Sequence, residues 1–550
     1  MIHFFKFQSK SGKNYVWDSR SNEIIQISEI LYDILDSENE VDFKNTVKKF
    51  TTKHSETSIQ TAVSALYHLK QRGFLCDQNI LKETPKIKGV LLKGKEYLFE
   101  DFLNTHSRML TLELTQRCNL NCIYCVYGNF YPRFRNHSEK TMTWDIATRA
   151  IKFHCDMLNS NCHIGFYGGE PLIEFNLLRE LVLFTEDYCK QNGRKKPSFS
   201  LTTNGTLLND KIIHFFVKHN VRVLISIDAD RVSHNTYRIF RNSGMGSFDT
   251  IEKNMERFVS LYPDYNGRAV AITITSGHDP ICSNTWMSKF IEFYSIGVVT
   301  YVRSITTNDR MCSQCDSEKC KHEVNDLSYP NNLAFHNWTN DDIQRFNNAY
   351  VEFIEDLYKS PVDSYKRWPI FYELFKDRYR DLFRRQIFAQ RVEKISCGCL
   401  PGAVRLFCNV DGDYYPCERV EQSDSLRIGN VWTGIDFTKV KWMINLFLEN
   451  VNCHQCIGEY ICAICPTSMM ENKDTGEIDY RFIKEECQQK INNLKKQLAY
   501  YVSINEENPN IFEQIYSEES IASHDDWLPE IQLVLDSVSV NCHCCQLTNP

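Results

Sequence analysis

The sequence predicts an α/β fold built on parallel β/α units, with a small strand-and-helix module before it and a cysteine-dense segment after it. Three observations predict this. Six apolar strand-like runs recur between residues 110 and 302, separated by stretches of helical spacing, the pattern of parallel strands joined by crossover helices. Residues 1–90 read as strands and then helices, with no catalytic constellation of their own. Nine of the 23 cysteines crowd residues 397–487.

At roughly 150 residues per domain, 550 residues make about three or four domains. The 42% hydrophobic and 24% charged content is that of an ordinary soluble chain. A formal charge of −7 argues against a general binder of nucleic acid or anionic membrane, which favour basic patches. No apolar run approaches the ~20 residues that span a bilayer. The N-terminus MIHFFKFQSK has no basic region leading into an apolar stretch, so no secretory signal is read. A cytoplasmic protein is expected. In that reducing compartment, cysteines point to metal or redox chemistry rather than to a disulfide framework.

Strand-like stretches at 4–7 and 15–27 are joined by Ser-Gly-Lys turn residues, and helical patterns follow at 28–35, 42–52 and 58–72, the last ending at Gly73. The six central runs are 110–115, 162–167, 198–203, 221–227, 269–275 and 297–302. Helices are expected near 143–158, 175–191, 209–219, 248–261 and 285–294. Barrel-like closure is one architecture these units permit, and chemistry then sits at the C-terminal strand ends. Residues 303–345 are polar and turn-rich. Residues 346–395 read as an amphipathic connecting helix rich in aromatics and arginine. Residues 396–490 show little periodicity, as expected where clusters replace a hydrophobic core. A helix to about 505 and an acidic tail close the chain. Domain boundaries are therefore expected at 1–90, 105–305, 306–395, 396–490 and 491–550. Cys76, Cys155 and Cys189, scattered singly in apolar segments, are expected as buried small hydrophobes.

Directly after the run LTLELT stands Cys118-Asn-Leu-Asn-Cys122-Ile-Tyr-Cys125. Three thiolates on one short loop can wrap three corners of a [4Fe–4S] cube, which takes four cysteines when closed. With no fourth cysteine nearby, one iron is left for a chelating small molecule. The alternative is structural zinc, which should be closed by four ligands.

At these residues the chain resembles the radical S-adenosylmethionine (SAM) enzymes, whose signature is this triplet with an aromatic before the third cysteine, here Tyr124. The resemblance covers residues 108 to about 305 and implies a partial (β/α)6 TIM-like barrel. It implies that Cys118, Cys122 and Cys125 hold the cluster and that SAM binds its open iron through the methionine amino and carboxylate groups. Reductive cleavage then yields methionine and a 5′-deoxyadenosyl radical that abstracts hydrogen from substrate. Further family motifs fall at strand ends. Gly168, Gly169, Glu170 and Pro171 close the second run, where the family contacts the SAM amino group. Thr203 and Asn204 close the third, and Ser226 and Asp228 the fourth, facing the SAM ribose and carboxylate. Arg238 stands four residues after His234, where the family often sets an arginine on that carboxylate, a good match for a guanidinium fork.

Downstream, Cys399 is followed by Gly412 and Cys417, and then by Cys453, Cys456, Cys462, Cys465 and Cys487. This resembles the SPASM domain, an extension of some radical SAM enzymes with two auxiliary [4Fe–4S] clusters. The spacing departs from the family only between Cys462 and Cys465, with two intervening residues instead of three. The resemblance implies an outer cluster on Cys453, Cys456, Cys462 and Cys487. It implies an inner one on Cys399, Cys417 and Cys465, completed by Cys397, Cys408 or a substrate thiol. A pair of zinc ribbons is the alternative. Glu418 stands where some family members have a carboxylate base, and a surface carboxylate is the other reading.

The opening strands and helices resemble the RiPP recognition element, a winged-helix-like domain that binds leader peptides by strand addition. Together the modules resemble radical SAM/SPASM maturases of ribosomally made peptides, fed electrons by a donor such as flavodoxin or ferredoxin. Three clusters, SAM and a Cys-containing precursor peptide are the implied cofactors and partner. A Cys thioether is the expected product. Carbon–carbon crosslinking, epimerisation and sulfatase-type oxidation of Cys or Ser to formylglycine are the alternatives within the class, and a non-enzymatic Fe–S or zinc scaffold lies outside it. Cys312, Cys315 and Cys320, in a polar insertion, and Cys542, Cys544 and Cys545, on a tail expected to be a mobile arm, match none of these patterns.

Overall fold

The computed structural model describes residues 4–35, 50–75, 109–128, 135–157, 162–228, 230–274, 278–294, 301–304, 339–383, 385, 401–402, 405–446, 456–458, 461, 469, 471–472, 475–478 and 480–516. The chain opens with an antiparallel meander of β1 (Phe4–Gln8), β2 (Asn14–Asp18) and β3 (Glu23–Ile27). The single strand expected over 15–27 is instead a hairpin. Asp18 accepts bonds from the Arg20 amide and the Ser21 hydroxyl, and Asn22 turns into the left-handed region at φ 59°, a local closure suited to Asp and Asn. Helices α1 (Glu29–Ile34) and α2 (Glu56–Gln71) are capped by Ser28 and Ser55. Strand alternation splits β2 between two cores. Val16 packs with Ile27, Leu31, Ile59 and Leu66, whereas Tyr15 and Trp17 join the main core of the molecule.

Six parallel strands follow in spatial order: β4 (Leu110–Thr115), β5 (His163–Gly168), β6 (Ser198–Thr203), β7 (Val221–Ser226), β8 (Arg268–Ile274) and β9 (Tyr301–Ser304). The crossovers run through α3 (Trp144–Met157), α4 (Phe175–Gln191), α5 (Asp210–Lys218), α6 (Arg231–Tyr237), α7 (Phe248–Leu261) and α8 (Pro280–Tyr294). The sheet is mostly parallel, and period-two alternation sorts its faces. Phe199, Leu201, Val223, Ile225, Val270 and Ile272 are buried. Ser200, Thr202, Leu224, Ser226, Ala271 and Thr273 form the other, half-open face. Apart from Leu224, polar and small side chains thus line the concavity while larger apolar ones pack outside it.

The cysteine-dense segment is more regular than its sequence suggests. β10 (Leu406–Cys408) pairs in parallel with the outer side of β4, and β11 (Asp413–Tyr415), β12 (Gly429–Asn430) and β13 (Gly434–Ile435) extend the sheet to ten strands. Because β10 occupies that edge, β4 and β9 do not meet and the barrel stays partial. Leu406, Phe407, Tyr414, Leu426, Ile428 and Val440 are buried, so this segment has an apolar core where none was expected.

Nor is 346–395 one connecting helix. Pro361 and Pro369 start new helices, giving α9 (Asn340–Lys359), α10 (Pro361–Arg367) and α11 (Pro369–Phe383). Phe346, Phe353, Phe371 and Phe375 are fully buried and pack ring against ring, which accounts for the aromatic richness. After α12 (Phe437–Asn445), the long α13 (Tyr480–Glu507) and α14 (Ile511–Tyr516) return to this layer, Phe512 stacking on Phe375.

Cys155 and Cys189 are buried as expected but are not solitary. Cys155 lies 2.7 Å from Cys162 and 3.9 Å from Cys189, sulfur to sulfur, behind β5. Cys76 lies outside the described residues. Among the described residues no helix is long and apolar enough to cross a membrane.

Candidate active site

The cysteine loop leaves the C-terminal end of β4 and is pinned along its length. The Asn121 and Ile123 amides donate to the Ile239 and Tyr237 carbonyls at 2.8 and 3.0 Å, and Arg241 Nε donates to the Cys118 carbonyl at 3.1 Å. Cys118, Cys122 and Cys125 are each half-buried. Burial raises all three thiol pKa values, that of Cys122 to about 12, so a metal centre must displace protons to take thiolates here. Backbone N–H groups already face the sulfurs, Leu120 at Cys118 and Tyr127 and Gly128 at Cys125. Such donors accompany Fe–S ligation. The loop supplies three thiolates, and a [4Fe–4S] cube offers each of them its own iron, whereas a closed structural zinc site takes four ligands on one ion.

The Gly-Gly-Glu-Pro segment ends β5 against this loop. The Gly169 and Glu170 amides donate to the Thr115 and Arg117 carbonyls, each at 2.8 Å. A Cβ on Gly168 would sit 2.3 Å from the Thr115 oxygen, and one on Gly169 2.1 Å from the Arg117 oxygen. Only glycine permits that approach. Glu170 is fully buried, accepting from the Leu172 amide, the Thr203 hydroxyl and the Asn204 amide at 2.7–2.9 Å, and Pro171 begins the short 3₁₀ turn behind it. Asn204 in turn donates to Asn119, next to Cys118, at 2.8 Å.

A second network crosses from β7. Tyr124 donates its hydroxyl to Asp228 and accepts from Arg238, both at 2.8 Å, and Asp228 accepts the Thr273 amide at 2.9 Å. Burial raises the Asp228 pKa, opposed chiefly by Arg238. His234 accepts the Asp228 amide at Nδ1, so its proton sits on Nε2 and goes to Ser247, whose hydroxyl donates to the Arg238 carbonyl. Burial keeps this imidazole neutral, making it a support for the turn that carries Arg238. Arg238 is 6% exposed, and its Nε has no hydrogen-bond partner among the described residues. Ser226 lies half-open at the tip of β7.

Glu113 belongs to no motif read from the sequence, although it is the one charged residue in LTLELT. It is fully buried on the concave face of β4, ion-paired with Arg135 and accepting from Gln116 and the Val410 amide at 3.2 Å. The Arg135 guanidinium also stacks 3.8 Å over the Tyr127 ring. His137 Nε2 lies 3.9 Å from the Cys125 sulfur while its Nδ1 faces the Gln116 carbonyl at 3.1 Å. Neither Arg135 nor His137 carries a sequence signal, since only folding returns residues 135–140 to the loop.

Residues 112–279 match the Radical SAM superfamily. This is a radical SAM domain. An uncharacterised protein of Methanocaldococcus jannaschii is 28% identical over 289 residues, 52% of this chain and 86% of its own. A cysteine-type anaerobic sulfatase-maturating enzyme of Clostridium novyi is 27% identical over 251 residues, 45% of this chain and 64% of the enzyme. The solved structure of native anSMEcpe with bound AdoMet aligns with a TM-score of 0.47 at 18% identity, covering 74% of this chain and 99% of that one. The family implies one [4Fe–4S] cluster and SAM, which the loop just described fits.

The second cysteine field reaches the radical SAM domain through its backbone. Tyr127, two residues beyond Cys125, donates its hydroxyl to the Glu418 carbonyl, next to Cys417. Glu418 is buried, so it is not a surface carboxylate. Arg405 binds its Oε1 at 2.7 Å, and its Oε2 has no partner among the described residues. Cys417 and Cys487 are half-buried, and Cys456 Sγ accepts the Gly458 amide at 3.4 Å. Cys408 sits in register with Leu112, and its buried thiol donates to the Asn409 carbonyl at 3.6 Å. Cys397, Cys399, Cys453, Cys462 and Cys465 lie outside the described residues, as do Cys312, Cys315, Cys320, Cys542, Cys544 and Cys545.

Proposed function

We propose that the chain is a radical SAM peptide maturase whose N-terminal module (residues 1–90) binds a leader peptide and whose radical domain (105–305) works beside a SPASM-type segment (396–490). Of the remaining spans, 306–395 and 491–550, the described residues 339–383 and 491–516 pack into the main core. The observation that carries the reading is the joint between Tyr127 and Glu418, which sets the second cysteine field against the cluster loop. When bound, the cluster on Cys118, Cys122 and Cys125 supplies the electron that cleaves SAM, and auxiliary clusters on the second field accept the electron that a closed-shell product gives up.

The chain's own residues do the rest. Arg238 presents a free, buried Nε to the SAM carboxylate, steadied by Tyr124 and Asp228. Glu170 and Asn204 brace the strand ends behind the cluster loop. The half-open face of Thr202, Ser226 and Thr273 receives the peptide. The unpartnered Oε2 of Glu418 takes the proton released when a Cys sulfur of the peptide closes on carbon. The product is a thioether, and flavodoxin or ferredoxin is the class of electron donor. A second reading, oxidation of a peptide Cys to formylglycine, is favoured by the similarity to the Clostridium novyi maturating enzyme.

Anaerobic reconstitution with iron and sulfide analysis and a reductant-dependent 5′-deoxyadenosine assay tests this. About 12 iron per chain with deoxyadenosine release is expected for three [4Fe–4S] clusters. Release with about four iron removes the auxiliary clusters, and zinc without release removes the enzyme. Given a Cys-containing peptide, a thioether appears as the mass loss of one hydrogen molecule with sulfur retained. Formylglycine appears as loss of sulfur.

A further inference from the structure

Trp17 is fully buried in the middle of β2, the central strand of the N-terminal sheet, and its indole N–H leaves that sheet altogether. It donates to the Ile457 carbonyl at 3.0 Å across a sequence separation of 440 residues. The next amide, that of Gly458, donates to the Cys456 sulfur at 3.4 Å. The Ile457 carbonyl and the Gly458 N–H belong to one planar peptide group, with the two bonds on opposite sides. One bond therefore orients the other. A carbonyl that accepts a hydrogen bond also polarises its own amide, so the N–H becomes a better donor to sulfur.

The same module also touches the helix that follows the cysteine field. The Lys10 amide donates to Ser503 at 2.8 Å and the Tyr15 hydroxyl to Glu506 at 2.7 Å. Both acceptors lie on α13, the helix that carries Cys487. The N-terminal module thus touches the helix that carries Cys487 only at its far end, whereas it reaches Cys456 through a single peptide group.

We propose that Trp17 is a positioning residue for Cys456, setting through the Ile457–Gly458 peptide the N–H···S bond that tunes the cluster this cysteine ligates. The inference rests on the auxiliary-cluster reading. Hydrogen bonds to ligand sulfurs stabilise the reduced, more negative cluster and raise its potential. Removing the indole N–H therefore lowers the potential of one auxiliary cluster and leaves the SAM-cleaving cluster where it was. It also couples the peptide-binding module to that cluster, because a ligand that shifts β2 shifts this bond.

The test is an EPR-monitored anaerobic redox titration of the reconstituted full chain, wild type against Trp17→Phe, with iron counted in both. A lower midpoint for one auxiliary signal, at unchanged iron and with the SAM-cluster signal unmoved, is the expected result. Unchanged midpoints at full iron, or a shift confined to the SAM cluster, overturn the proposal. If the phenylalanine variant loses iron, Trp17 is replaced instead by 3-benzothienylalanine, which keeps the ring's size and lacks the N–H. A lowered midpoint there supports the proposal and an unchanged one overturns it. A wild-type chain with only about four iron overturns the auxiliary-cluster reading itself, a failure visible before any variant is made.

Discussion

Gly169 and Arg238 meet the cluster loop in opposite ways, one by having no side chain and one through a side chain bonded to Tyr124 whose Nε is unpartnered among the described residues. A Cβ on Gly169 would lie 2.1 Å from a backbone oxygen of the loop, and backbone cannot yield as a flexible side chain can. Gly169→Ala is expected to cost about 1–3 kcal/mol, the usual penalty of overpacking. Cluster iron on the Cys118–Cys125 loop should fall with it, read by iron analysis beside a melting curve. A variant with wild-type iron and melting temperature removes the argument. Arg238→Lys keeps the charge but loses the planar fork. If the free Nε binds the SAM carboxylate, calorimetry on the anaerobic protein should show SAM held about tenfold or more weakly, in line with the ~1.5–3 kcal/mol of a hydrogen bond to a charged group. Unaltered affinity withdraws the role.

At the scale of elements, one carboxylate, Glu506, takes part in docking the β1–β2 hairpin on α13. Burial pushes the Glu506 pKa up, but hydrogen bonds from Ser11, Tyr15 and Ser9 outweigh it and leave the pKa below its ordinary 4.5. A carboxylate depressed in the folded state adds stability that is present above its unfolded pKa and lost as pH falls through the folded one. Melting temperature should therefore drop below about pH 4.5 in part through this group, and Glu506→Gln should be less stable near neutrality with a shallower acid limb. An unchanged acid limb removes Glu506 from the joint. Which elements form was largely legible. The predicted helices 175–191 and 248–261 match α4 and α7 residue for residue, because strong 3.6-residue periodicity with clear ends reports itself locally. The short strands β10 and β11 were not legible. Three-residue strands carry too little alternation to stand out, and the pairing of β10 with β4 joins segments almost 300 residues apart.

At the scale of the whole molecule, the N-terminal module keeps a small core of its own and gives one face of its sheet to the main core. Phe7, Tyr15 and Trp17 pack into the cluster of buried residues that holds the barrel and α13. A chain beginning at residue 76 should thus expose this apolar surface, melt lower than the full chain and lose Trp17's hold on Ile457. A freely separable module would leave the melting temperature unchanged, which a single thermal scan of the two chains decides.

The cysteine loop, the glycines behind it and the alternation of strands and helices were determined by the sequence alone, because each is a local pattern of spacing and polarity that needs no distant partner. Tertiary structure alone decided the joint between Tyr127 and Glu418, the pairing of Glu113 with Arg135, the gathering of Cys155, Cys162 and Cys189, and the bond from Trp17 to Ile457. Each brings together groups whose separation along the chain says nothing of their meeting. Burial then changes their chemistry: a carboxylate or thiol that water would leave ordinary acquires in the interior a shifted pKa and a fixed partner.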